Sequence, residues 1–170
     1  MNKTSFWPNR SSKLLCLLGA AVLTLSGCHS GAKLPDKSSP EYRQVVSAFY
    51  VGLAALQVGD DVHAESKLSE VTQLVPGEPA GWANWGILAL RQRNFDVAAQ
   101  RLERARGLAP QNDQIFDLLG ILESQRGHSA QAIADLRKAA DLDPQNLKAI
   151  YQLAEEIERQ RHAGPGRTRV

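Results

Sequence analysis

The chain repeats itself every 34 residues. Gly52, Gly86 and Gly120 stand 34 apart, as do Ala64, Ala98 and Ala132, and as do Pro76, Pro110 and Pro144. Leu68, Leu102 and Leu136 form a fourth column in the same phase. Columns in register constrain a fold more than composition does. Each unit is then one supersecondary piece that hides its apolar side only against its neighbours, so a stacked array is expected.

The second unit shows what the piece is. Trp82, Trp85, Ile87, Ala89 and Leu90 recur at helical spacing, and Gln92, Arg93 and Asn94 break the pattern. A second helical run follows, with Ala98, Leu102, Ala105 and Leu108 on one side, and Pro110 closes it. The spacing fits a period of about 3.6 residues and not an alternation of two. A glycine inside a helix costs about 1 kcal/mol relative to alanine, so three at one place point to close approach of the paired helix. Proline lacks an N–H and disfavours helix in the residue before it, so the proline column stops each second helix. Asp60, Asn94 and Ser129 are expected where second helices begin, each with a side chain able to accept an orphan N–H.

These residues carry a resemblance. The pattern of large residue, Leu-Gly, aromatic, alanine, aromatic and proline is that of the tetratricopeptide repeat (TPR) family. This chain reads Trp82, Trp85-Gly86, Ala89, Ala98, Leu102, Pro110 in unit two and Phe116, Leu119-Gly120, Glu123, Ala132, Leu136, Pro144 in unit three. Unit one reads Ala48, Val51-Gly52, Ala55, Ala64, Leu68, Pro76. The first-helix aromatic is missing from all three units, and leucine replaces the second-helix aromatic. The resemblance covers Val45 to about Arg161. It implies an all-α fold, an α-solenoid of three helix-turn-helix repeats plus a C-terminal capping helix.

The N-terminus reads as an address. Lys3, Arg10 and Lys13 precede Leu14–Leu25, a run that is apolar apart from Thr24. It is shorter than the roughly 20 residues of a bilayer span and has the shape of a secretory signal. Leu25-Ser26-Gly27-Cys28 is similar to the bacterial lipoprotein box. That resemblance implies a diacylglycerol thioether on Cys28, cleavage after Gly27 and acylation of the new amine. One acyl chain binds a membrane marginally, whereas two or three anchor it stably, at about 0.8 kcal/mol per buried CH₂. His29 follows Cys28, and the absence of an aspartate there favours the outer membrane, facing the periplasm. Cys16 lies in the discarded run. The repeats hold no cysteine, so neither a disulfide nor a thiolate metal framework is expected in them.

The expected layout is a signal peptide over 1–27, a flexible linker over 28–40, the TPR domain over 41–161 and a disordered tail over 162–170. The repeats are placed at about 45–78, 79–112 and 113–146, with the cap at 147–161. Helices are expected near 41–58, 61–74, 79–92, 96–108, 113–126, 130–142 and 147–161. The cap should turn Ile150, Leu153, Ala154 and Ile157 inward and leave Glu155, Glu156, Glu158, Arg159 and Arg161 wet.

In TPR proteins the first helices line a concave face. Carried onto this chain, that places Val46, Phe49, Tyr50, Leu53 and Leu56 in a groove from unit one. Unit two adds Asn84, Ile87, Leu90 and Arg91, and unit three adds Gln114, Asp117, Ile121 and Gln125. The groove is then apolar at its N-terminal end and polar at its C-terminal end. Family members that grip a terminal carboxylate use Lys, Asn and Arg there, and here only Asn84 and Arg91 are comparable. An amphipathic helix or apolar peptide fits better. Trp82 and Trp85 are read as packing residues.

No catalytic constellation is apparent. His29, His63, His128 and His162 are scattered and make no metal spacing, and Ser124 and Ser129 lack a positioned base. No enzyme activity, cofactor or metal is expected. Without residues 1–27 the chain has 17 basic and 18 acidic side chains, which is no footprint for nucleic acid. The expected function is a lipid-anchored envelope scaffold that holds a protein or peptide partner in its groove. Lipoproteins of similar design assist pilus, secretin, barrel or cytochrome maturation assemblies. The alternative is the anchored recognition module of a larger secreted or enzymatic system. Self-association through an uncapped end is a further expectation.

Overall fold

The computed structural model describes residues 34–163. Its described residues form seven helices and no strand: α1 (Pro40–Val58), α2 (Asp61–Leu74), α3 (Pro79–Arg91), α4 (Phe95–Leu108), α5 (Asp113–Arg126), α6 (Ser129–Leu142) and α7 (Leu147–Ala163). Every bound lies within two residues of the sequence expectation. The expected signal peptide, Cys28, the first part of the linker and residues 164–170 lie outside the described residues. Helices pair as α1 with α2, α3 with α4 and α5 with α6, and each pair stacks on the next through α2–α3, α4–α5 and α6–α7. The first helices also touch one another along one side, α1 to α3 to α5 to α7. The result is an all-α solenoid.

The columns explain the pairing. Ala64, Ala98 and Ala132 are fully buried, and so are Leu68 and Leu102, with Leu136 nearly so. Each of these leucines presses on the glycine of its own unit. A Cβ built on Gly52 would lie 3.1 Å from Leu68, one on Gly86 2.7 Å from Leu102, and one on Gly120 2.5 Å from Leu136. The glycines are there because the second helix occupies the space of a side chain.

Capping follows the repeat with one correction. Asp60 accepts from His63 N and Asn94 from Val97 N. The third second-helix cap is His128, not Ser129, because the 34-residue column runs Asp60, Asn94, His128. His128 makes no cap bond, and its Nδ1 lies 2.7 Å from Glu123 Oε2 instead. The residues before the proline column, Val75, Ala109 and Asp143, share φ between −133° and −135°. That is the extended backbone a following proline imposes. A further column ends the first helices. Gly59, Arg93 and Gly127 all have positive φ, at 82°, 57° and 81°.

The cap helix is rotated from expectation. Ala149 and Glu156 are buried, whereas Ile150 and Ala154 are exposed and Leu153 and Ile157 half-buried. In register, Ile150 and Ala154 correspond to Phe116 and Gly120, the residues that meet the second helix of their own unit. No such helix follows α7 among the described residues, so that side stays open and the side facing α6 is buried. Glu156 stands in the column of Leu88 and Leu122, both fully buried.

Candidate partner-binding groove

Three connected hollows run along the side where the first helices meet. The first, about 220 Å³, is lined by Tyr42, Val46, Phe49 and Tyr50 of α1, with Glu78, Ala80 and Leu34. Tyr50 is exposed, and Leu34, from the segment before α1, closes one wall while remaining half open to solvent. The second, about 210 Å³, lies between α3 and α5 and is lined by Glu78, Ala80, Ala83, Asn84, Ile87, Gln114 and Leu118. Glu78 and Ala80 join it to the first. The third, about 470 Å³, holds Ile87, Asp113, Gln114, Asp117, Leu118, Asp143, Asn146, Leu147 and Lys148. Ile87, Gln114 and Leu118 join it to the second. The strip therefore changes from aromatic and aliphatic at α1 to carboxylate-rich between α5 and α7.

The structure sorts the sequence-predicted residues. Val46, Phe49 and Tyr50 share the first hollow, Asn84 and Ile87 the second, and Gln114 and Asp117 the third. Leu53 is half-buried on α1. Leu56, like Trp85, packs partly buried against the core, and Leu90 is a core residue, so neither serves the groove as expected. Ile121 and Gln125 line a separate hollow of about 230 Å³ between α5 and α7, with Ser124, Gln152, Glu156 and Arg159. The two groove donors are already used. Asn84 Nδ2 donates to Ala80 O at 2.8 Å, and the Arg91 guanidinium donates to Leu56 O and to Asp61 of the preceding unit. Arg91 is a strut between units, matched by Arg126, which pairs with Asp96 at 2.7 Å and donates to Phe95 O. Trp82 and Trp85 are half-buried packing residues, and the Arg101 guanidinium lies 3.7 Å from the Trp85 ring centroid.

Sequence reading missed Asp113, Asp143, Asn146 and Lys148. They sit at helix starts and in the α6–α7 turn, where they resemble ordinary caps. Lys148 Nζ donates to Asp117 Oδ2 at 2.6 Å, Asn146 Nδ2 donates to Asp113 Oδ2 at 2.8 Å, and Gln145 N donates to Asp143 Oδ1 at 2.9 Å. Asp117 is 4% exposed, and its Oδ1 is buried with no hydrogen-bond partner among the described residues. In the neighbouring hollow, burial pushes the Glu156 carboxyl up, but hydrogen bonds from Ser129, Ser124 and Arg159 outweigh it and hold the group below the usual range. No group of three metal-ligating side chains converges among the described residues.

No family model matches the chain. A curated relative, tetratricopeptide repeat protein 37 of Xenopus laevis, is 28% identical over 131 residues, or 75% of this chain. The chain spans only 8% of that relative's length. Among solved structures, the O-GlcNAc transferase of Thermobaculum terrenum superposes with a TM-score of 0.67 at 22% identity, covering 71% of this chain and 23% of the transferase. The first TPR of Spaghetti (RPAP3) bound to the HSP90 peptide SRMEEVD gives 0.66 at 17% identity, covering 70% of this chain and 94% of that domain. MamA of Desulfovibrio magneticus RS-1 gives 0.62 at 24% identity, covering 69% of this chain and 66% of MamA. At these identities the likeness establishes the fold, which is that of a TPR array.

Proposed function

We propose that this TPR array is a lipid-anchored scaffold of a bacterial cell envelope that holds a protein or peptide partner along its concave strip. The reading of the groove rests on one observation: three hollows joined end to end along the first helices, with Tyr50 exposed at the apolar end. The fold is shared with a domain whose structure holds a peptide. Repeat arrays present such extended concave surfaces because each unit adds one more helix to the same side. The scaffold carries no chemistry of its own on this reading and serves assembly of an envelope complex of the pilus, secretin, barrel or cytochrome maturation kind.

The anchor is the lipid on Cys28, and the outer membrane facing the periplasm is the proposed site. Leu25 to Cys28 supports it. Residues between Cys28 and Pro40 would hold the array off the bilayer. Crosslinking in intact membranes, followed by affinity purification, tests the whole reading. The wild type should recover a specific protein, and Tyr50→Arg should lose it while keeping the same melting curve. Equal recovery by both would refute the groove. Cys28→Ser should leave the chain unlipidated, as read by intact mass of the membrane fraction. A mature N-terminus other than Cys28 would refute the anchor.

A second reading, the recognition module of a larger system, is favoured by α7, whose Ile150 and Ala154 are exposed where a second helix would pack. A neighbouring coding sequence that extends the repeats favours it; sedimentation as a monomer with no such extension argues against it.

A further inference from the structure

We propose that the outer side of α1 lies against the lipid bilayer that carries the Cys28 anchor, a placement that holds only if the anchoring proposed above holds. The repeat register defines that side as Ser47, Val51, Ala54 and Val58. In later units the same columns turn toward the unit before. Ser47 shares its column with Gly81, where a Cβ would meet Val71 of α2 at 2.9 Å. Ala54 shares its column with Leu88 and Leu122, both fully buried. No unit precedes α1 among the described residues, so all four positions are exposed, Val51 at 44% and Val58 at 81%.

An exposed apolar end alone would say little. Two features set this one apart. Terminal repeats of an array need a polar outer side to stay in water, yet α1 holds no charged residue from Gln44 to Val58. The other outermost helix, α7, has Glu155, Glu158 and Arg161 exposed. The second feature is Val58. It stands in the column of Gln92 and Arg126, which donate to Asp61 and Asp96 of the preceding unit. A valine donates nothing, so the strut that would tie α1 to a neighbouring repeat, or to a second copy stacked in the repeat manner, is missing. A hydrocarbon surface needs no strut.

The chain itself brings that surface near. Cys28 precedes Pro40 by twelve residues, which span at most about 40 Å. Two sites joined by a short linker meet at an effective concentration of about millimolar, so an apolar stripe too weak to hold a free protein on a membrane suffices for a tethered one. The linker thus sets the greatest stand-off, and the stripe draws the array in from it. No helix among the described residues is long and apolar enough to cross a membrane, and α1 would meet the bilayer side-on. Phe49 and Tyr50 lie round the helix in the first hollow, so the groove stays open to a partner.

The test puts one thiol on the lipidated chain. With Cys28 acylated and residues 1–27 removed, an introduced cysteine is the only free one. Ser47→Cys reports the outer side of α1, and Tyr151→Cys, at an exposed position of α7, reports the far end. Each is labelled with a polarity-sensitive dye and held in phosphatidylcholine vesicles whose acyl chains carry nitroxide quenchers. The Ser47 probe should be quenched several-fold more than the Tyr151 probe. Ala54→Asp with Val58→Asp, both at exposed positions, should lower it to the Tyr151 level with the melting curve unchanged. Equal quenching at the two ends, in protein whose intact mass shows the lipid, would overturn the docking and leave the anchor standing. A bare Cys28 would overturn both. A Ser47 probe shifted to the blue without nitroxide quenching would put protein, such as a second copy, on this side of α1 in place of lipid and overturn the docking.

Discussion

Alanine at each of the three column glycines should destabilise in the order Gly52, Gly86, Gly120. The new Cβ would lie 3.1, 2.7 and 2.5 Å from the facing leucine. Those distances fall roughly 0.4, 0.8 and 1.0 Å short of the ~3.5 Å at which carbon pairs begin to sit comfortably. The leucines cannot swing away, because Leu68, Leu102 and Leu136 are themselves in the closed interior. At Gly120 the backbone N of Leu136 also stands 3.3 Å away, so the helix itself must move. Two effects compete. Alanine gains about 1 kcal/mol of helix propensity over glycine. Overpacking loses about 1–3 kcal/mol. Gly52→Ala should therefore fall near zero, Gly86→Ala about 1 kcal/mol below wild type and Gly120→Ala about 2 kcal/mol below it. Gly86→Val, with two further methyls and a stiff χ1, should lose more than either. Urea unfolding followed by far-UV circular dichroism reads the order as midpoints. Adding Leu136→Ala to Gly120→Ala should recover part of the overpacking, a coupling visible in the double-mutant cycle. Gly120→Ala at least as stable as Gly52→Ala would refute close helix contact as the reason for the column.

Arg93 holds a left-handed φ of 57° where its column has glycine, so Arg93→Gly should raise stability by about 0.5–1 kcal/mol in the same urea assay; a loss would show that the side chain matters more than the backbone. Asp135 is buried, and burial raises its carboxyl above the usual range despite a hydrogen bond from Gln131. Stability from such a group is present in acid and lost as pH rises through the folded value, so Asp135→Asn should stabilise at neutral pH and not in acid. Equal melting shifts at both pH values would contradict this. Glu156 has the opposite sign. Its carboxyl is held below the usual range, so its contribution is present above that range and lost as pH falls through the folded value. Amide exchange in α7, measured relative to α5, should therefore quicken in acid in the wild type and stay flat in Glu156→Gln; pH-independent α7 protection in the wild type would remove the argument.

Architecture was legible because the residues that build it repeat. Gly, Ala, Leu and Pro at fixed phase give the pairing, the close contact and the stops, and the helix bounds follow. The errors come where a local rule was preferred to the column. Ser129 is the better capping residue by chemistry, but the register puts His128 at the cap. Leu90 was carried into the groove from the family's concave first-helix face, yet it is buried in the core. For α7, periodicity alone defined an apolar face but not what the face would meet. Arg91 looked like a donor for a guest carboxylate because sequence cannot show that Asp61 and Leu56 O already hold it.

The departures from the repeat are where individuality enters. A column residue of the expected kind only continues the stack. A carboxylate in such a column must find a partner or remain in need of one, since a buried polar group is expensive to leave unmet. Glu156, in a leucine column, is met by Ser124 and Arg159 at 2.7 and 2.5 Å, both on Oε2, while its Oε1 has no partner among the described residues. Asp117, in the column of Phe49 and Ala83, finds Lys148 for one oxygen and nothing for the other. The same kind of substitution thus has the same outcome at both positions: one oxygen is held by a cation, Arg159 or Lys148, and the other stays buried without a hydrogen-bond partner among the described residues.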